Sequence, residues 1–131
     1  MSTENTTAAT PLVQHLSASP SFNNAHIYTP AVQYENLLFL AGKTSWAASE
    51  PEDIRIATKF VLDGIEKELK HAGSSMEKVL KAVVYLRSMD DYDAMNEIYV
   101  GRFGAKPPAR TTLQSGLPRN SIVGIDVTAY I

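Results

Sequence analysis

Two short stretches hold the residues best suited to chemistry. "PPARTTLQSGLP", Pro107 to Pro118, sets one arginine among small hydroxyl residues, and "GIDVTAYI" places an acid between two β-branched residues. Alternation along an extended chain puts Arg110, Thr112 and Gln114 on one face of the first stretch. In the second, Asp126, Thr128 and Tyr130 share one face, and Ile125, Val127, Ala129 and Ile131 the other. Asp is depleted from strands, so Asp126 calls for a partner. A turn centred on Pro118 sets Arg110 opposite Asp126 across a hairpin. The plain reading is a cross-strand ion pair contributing about 0.2–1 kcal/mol. The sharper one is a substrate site. There the guanidinium fork grips a carboxylate, and the acid handles a proton or orients a water. The residue pattern leaves both open.

The remaining candidates are more scattered. Tyr28 follows a loop, where its phenol either projects into a cleft or is half-buried in the core. Asn96 sits among apolar residues and reads as a buried amide tying down a loop. Trp46, in "KTSW", lines a pocket or covers the core, and Gly42 either admits a ligand to the backbone or turns the chain. His15, His26 and His71 lack metal-site spacing and read as surface or packing residues. The absence of cysteine excludes disulfides, thiolate nucleophiles and cysteine zinc sites. "AGKTS" has only the tail of a phosphate-binding loop, without the earlier glycine. No Ser–His–Asp grouping and no dinucleotide fingerprint is readable.

The elements that must position these residues follow from periodicity. "PLVQHLSA" is a short first strand, "SPSFNNAH" a loop, and "IYTPAVQYENLLFLAG" two strands around a turn near Tyr34–Asn36, with Pro30 at a strand start. Pro51, Glu52 and Asp53 fit the first turn of a helix whose buried stripe is Ala57, Phe60, Val61, Ile65 and Leu69, with Gly73 as C-terminal cap. Ser74 and Glu77 stand at capping-box spacing for a single turn, and "VLKAVVYL" is a strand. Asp90 or Asp91 caps a second helix with an apolar face of Met95, Ile98, Tyr99 and Phe103. "ARTTLQS" and "IVGIDVTAYI" are the last strands, joined through "GLPRN". Two helices on one face of a mixed sheet make an α+β layered arrangement. The other face, with residues such as Val83, Tyr85, Val127 or Tyr130 according to register, is solvated or packs on another copy.

Bulk properties narrow the function classes. The 131 residues read as one domain, 1–131, with a flexible polar tail over about residues 1–10. Twelve basic residues against fourteen acidic ones give a net charge of −2, so nucleic acid is not an expected partner. No apolar run approaches the roughly 20 residues of a bilayer span, so no membrane is expected either. The opening "MSTENTTAATPLVQ" lacks a basic region followed by an apolar one, which makes the cytoplasm the default.

Several motifs then fall in one order. "YTPAVQYENLLFLAG", "KHAGSSMEKVLKAVVYLRSMDDYDAMNEIYVGRFG" and "PPARTTLQSGLP … VGIDVTAYI" resemble the YjgF/RidA family of small enamine/imine deaminases, over roughly Ile27 to Ile131. The resemblance implies a chorismate-mutase-like α+β fold and a homotrimeric barrel with clefts between subunits. It implies hydrolysis of 2-aminoacrylate or 2-iminopropanoate-type species to a 2-oxo acid and ammonia, with no cofactor and no metal. It also implies roles. Arg110 matches the carboxylate-binding arginine, Tyr28 the pocket tyrosine and Asn96 a structural asparagine, with backbone N–H groups around Gly42 and Thr112 helping to hold the ligand. Asp126 falls on the water-activating glutamate, one methylene shorter, which withdraws the carboxylate by roughly 1.5 Å. Ala41 stands for the usual Ser, Lys43 for a frequent Gln, and Thr112 where many members have Cys. With Trp46 nearby, these departures point to an altered pocket. Three functions follow: a deaminase, a non-catalytic carboxylate-binding module in the same cleft, and an endoribonuclease. Neither charge asymmetry nor aromatic stacking supports the last.

Overall fold

A computed structural model describes residues 12–131, so the expected polar tail lies outside the described residues. The described residues form a mixed seven-stranded sheet with two α-helices on one face. The strands are β1 (Val13–Leu16), β2 (Ala31–Tyr34), β3 (Leu37–Leu40), β4 (Lys43–Thr44), β5 (Val79–Leu86), β6 (Ala109–Gln114) and β7 (Val123–Tyr130). Helix α1 spans Ile54–His71 and α2 spans Tyr92–Tyr99. Spatial order is β1-β2-β3-β7-β5-β6, with β4 also paired to β7.

The β2–β3 hairpin forms where the turn residues predict it, with Glu35 in the left-handed region at φ 53°. α1 begins one step later than expected. Pro51 and Glu52 lie in the preceding turn, and Asp53 is the N-cap, its Oδ1 accepting from the backbone N–H groups of Arg55 and Ile56. The helix closes in a Schellman arrangement. Gly73, at φ 85°, donates to the Lys70 carbonyl and Ser74 to that of Leu69. Ala57, Val61, Ile65 and Leu69 are buried as the spacing requires, but Phe60 is 41% exposed; Thr58 and Leu62 complete the stripe instead. Ser74 does not close a capping box either, because its hydroxyl donates to the Tyr130 carbonyl at 2.6 Å. Asp91 occupies the N-cap position of α2 without a side-chain capping bond, and Ser88 caps the short 3-10 turn before it.

The larger correction concerns β6 and β7, which do not form a hairpin. β5 lies between them, parallel to β6 and antiparallel to β7. The reason is packing. β5 carries Ala82, Val84 and Leu86 fully buried beneath the helices and needs a neighbour on both sides. β6 is half-exposed along its length and suits an edge. α2 supplies the crossover that a parallel pair requires. The Ser115–Ile122 connection then rounds the end of β5, held by Ser115 N–H on the Leu86 carbonyl and Arg87 N–H on that of Ile122.

The register sorts every strand residue to a face. Ala82, Val84, Leu86, Val123, Ile125, Val127 and Ala129 pack against Val61, Leu62, Ile65 and Leu69 of α1 and Met95 and Tyr99 of α2 in one core. Val127, one of the residues considered for the free face, belongs here. Val83, Tyr85, Asp126, Thr128 and Tyr130 point the other way, joined by Phe39 and Leu37 through the β3–β7 register. Among the described residues no helix covers that face, and Leu37, Phe39 and Tyr130 stand exposed on it.

Candidate active site

Neighbouring residues of a strand point to opposite faces. Arg110 pairs with Ala82 of β5, and Asp126 with Val83. The two therefore stand on opposite faces of the sheet within one chain, and the ion pair expected from a hairpin does not form. Asp126 instead accepts a hydrogen bond at Oδ2 from the Tyr85 hydroxyl at 2.9 Å. That bond holds the Tyr85 phenol above its usual value of 10.0, and burial adds to the effect.

Arg110 lies on the helix side, at the edge where β6 meets α2. One guanidinium N–H donates to Asn96 Oδ1 at 2.7 Å and another to the Tyr92 hydroxyl at 3.2 Å. Its carbon lies 4.7 Å from the Tyr99 ring centre and 5.6 Å from that of Tyr92. Tyr92, Asn96 and Tyr99 follow helical spacing along α2, so one helix face builds the cradle. Asn96 thus ties down a side chain rather than a loop. Thr112 Oγ1, buried nearby, has no hydrogen-bond partner among the described residues, while the Tyr99 hydroxyl lies close enough to the guanidinium to interact with it. Burial raises the Tyr99 phenol, with attraction to Arg110 opposing it. No carboxylate lies within ion-pair distance of Arg110 among the described residues. A guanidinium bonded to neutral acceptors keeps its remaining donors for an anion.

A second cluster forms where the β3–β4 segment and the connection after β6 come together. Tyr28, Ala41, Gly42 and Trp46 line one cavity of about 390 Å³ with Asn24, Pro118 and Arg119. Tyr28 is no core residue: it is 47% exposed and packs edge-on against Phe22, ring centres 5.3 Å apart. Trp46, also 47% exposed, lies under the Arg119 guanidinium at 4.5 Å. The walls are pinned by side chains farther back. Glu68, 4% exposed, accepts from the Ala18 N–H at 3.0 Å and from Lys43 Nζ at 3.1 Å, which ties α1 to the loop before Tyr28 and to the strand after Gly42. Ser45 Oγ accepts from the N–H groups of Ile122 and Val123, drawing the Trp46 and Pro118–Arg119 segments together.

Register relates Asp126 to this second cluster. Phe39 pairs with Thr128 and Lys43 with Ile125, so one extra residue bulges between Leu40 and Gly42, across from Val127 and Asp126. A methyl group built on Gly42 would touch nothing within 4 Å, which leaves its backbone open to a ligand. Of the residues singled out from sequence, Arg110, Asn96 and Thr112 gather in the cradle. Tyr28, Ala41, Gly42 and Trp46 gather in the pocket, and Asp126 lies across the strand from Gly42. The sequence reading missed Tyr92, Tyr85 and Arg119 as site residues. The polar tips at 92, 96 and 99 were a legible helical stripe; Arg119 offered no signal beyond its place in a turn. No group of residues suited to a metal ion occurs among the described residues.

Comparison with known proteins bears on both clusters. The family model described as endoribonuclease L-PSP matches residues 19–131. A RutC family protein of Pyrococcus horikoshii is 37% identical, over 79% of this chain and 86% of its own. The mouse protein named 2-iminobutanoate/2-iminopropanoate deaminase is 33% identical, over 78% and 79%. A solved Rid protein of Yersinia pestis superposes with a TM-score of 0.82 at 25% identity, over 91% of this chain and 99% of its own. The mixed sheet with two helices is therefore a shared architecture, and the matched region takes in the cradle and the pocket alike: the chain belongs to the YjgF/RidA family.

Proposed function

We propose that the protein is a hydrolytic deaminase of reactive imino acids of the 2-aminoacrylate/2-iminopropanoate type, giving a 2-oxo acid and ammonia without a cofactor. The observation that carries this reading is Arg110, a fixed guanidinium with no carboxylate partner among the described residues and the unpartnered Thr112 hydroxyl beside it. The substrate carboxylate takes the free donors of that fork. The name of the mouse relative supports the same chemistry. The near balance of twelve basic and fourteen acidic residues favours a small carboxylate over a polyanion.

In this reading the site is completed by another copy of the chain. Arg110 and Asp126 face opposite ways within one protomer, while the apolar free face with Leu37, Phe39 and Tyr130 suits packing in a homotrimer. One protomer's cradle meets its neighbour's pocket, with Tyr28, Gly42 and Asp126 on the far wall. The enamine tautomerises to the imine, and Arg110 holds the carboxylate and draws electron density from the adjacent C=N carbon. Water oriented by Asp126 adds to that carbon and a proton goes to nitrogen; the tetrahedral carbinolamine then breaks its C–N bond and releases ammonia. The cytoplasmic expectation belongs to this proposal, and among the described residues no helix is long and apolar enough to cross a membrane.

A coupled assay that generates the imine in situ and follows its decay tests the reaction. Ligand-induced thermal stabilisation without faster decay would instead indicate the binding module. Co-refolding Arg110→Ala with Asp126→Asn chains tests the shared site. Random mixing in a ring leaves about a quarter of the interfaces with both native residues, so about a quarter of wild-type activity returns. No recovery above the single variants places both groups in one chain's site.

A further inference from the structure

Resting on that reading, we infer that the pocket selects imino acids carrying a second carboxylate at the end of the side chain, and that Arg119 receives it. The backbone supplies the first reason. Arg119 and Asn120 are consecutive non-glycine residues in the left-handed region, at φ 54° and 58°. Asn tolerates that conformation through its short polar side chain, but Arg has no such compensation. Strain of this kind persists where the surrounding structure requires it, and it clusters at ligand sites.

The side chain supplies the second reason. Left-handed backbone at Arg119 lays the guanidinium over Trp46 at 4.5 Å, at the wall of the cavity shared with Tyr28 and Gly42. A contact of this kind with a ring spends none of the guanidinium N–H donors on a hydrogen bond. Arg119 has no ion pair and no side-chain hydrogen bond among the described residues. Other arginines in the molecule are spent differently. Arg55 engages Glu97, Arg87 engages Glu52, and Arg102 engages Asp63. Arg119 is thus a positioned cation in the pocket wall with its binding edge unoccupied. Arg110 already accounts for one carboxylate, so a second cation across the cleft matches a substrate with two.

Stable 2-oxo acids probe this without generating an imine. Calorimetric titration with 2-oxobutanoate and 2-oxoglutarate is expected to show the dicarboxylate binding roughly 10- to 100-fold tighter, the range of one charge-assisted contact. Arg119→Asn and Arg119→Gly both suit left-handed backbone and therefore fold, and in both the preference is expected to collapse toward parity. A preference absent from the wild type, or unchanged in the two variants, overturns the role of Arg119. If that happens while Arg110→Ala abolishes binding of both acids, the deaminase reading stands without it. Binding that is indifferent to Arg110 overturns the functional reading itself, and no heat with either acid overturns both.

Discussion

Arg110 and Arg119 are both guanidiniums without a carboxylate partner among the described residues, yet they are held in opposite ways. Arg110 projects from a regular strand, is partly buried, and is braced by an amide, a phenol and two rings from a single helix face. Arg119 projects from strained backbone in a connection, is exposed, and rests on one indole. Elements with buried faces hold a group within tenths of an ångström, whereas loops are free to vary. On the proposed function this is a division of labour, with the cradle fixing the end common to all 2-imino acids and the pocket judging the rest.

The sharpest way to break that comparison is at its fixed end. Arg110→Ala is expected to lower kcat/KM for imine hydrolysis by about 100-fold or more, the loss of two charge-assisted bonds. Arg110→Lys keeps the charge without the fork and is expected to recover only part of it. Full activity in either variant would show that the cradle is not the anchor. A subtler change leaves Arg110 in place and sets a charge at a donor it already uses. Asn96→Asp puts a carboxylate at the 2.7 Å contact and competes with the substrate, so KM is expected to rise about 10-fold while the melting temperature holds or increases. A parallel loss of fold would mean that the amide serves structure alone.

At the variable end, Gly42→Ala separates binding from folding. Nothing lies within 4 Å of the added methyl and the backbone there is not left-handed, so stability is expected to hold or rise by about 0.4–1 kcal/mol. Ligand affinity is expected to fall, because the methyl stands where the backbone was open. Unchanged affinity by calorimetry would remove Gly42 from the site.

The smallest effect concerns Tyr85. Its phenol is raised above 10.0 mainly by donating to Asp126, so the folded state holds this proton more tightly than the unfolded chain does. The associated stability is complete below pH 10 and fades as pH rises through the raised value. Tyr85→Phe is expected to cost about 0.5–1.5 kcal/mol at neutral pH, with the gap from wild type closing in strongly alkaline solution. A gap independent of pH, measured by chemical unfolding, would show that the hydroxyl contributes only through packing.

Local rules carried much of this molecule. Alternation divided β7 into an Ile125, Val127 and Ala129 face and an Asp126, Thr128 and Tyr130 face, and the structure keeps that division while deciding that the first is the buried one. Helical spacing marked most of the α1 stripe, Gly73 its end, and turn residues the β2–β3 hairpin. Motif order pointed to Arg110, Tyr28 and Gly42, whose use by a substrate is a proposal. These properties are short-range: they depend on side-chain period, backbone freedom and the identity of a few neighbours.

Strand order was not legible in the same way. Two strands joined by a short connection suggested a hairpin, and only the packed fold shows that β5 lies between them. That insertion arises because β5 must bury one face and satisfy two edges at once, a demand set by residues distant in sequence. It moves Arg110 and Asp126 to opposite faces without changing either residue. The sequence by itself determined which side chains carry charge and which way each strand turns them; tertiary structure alone decided which of them meet, because the core chooses its neighbours by the surface they bury and not by their separation along the chain.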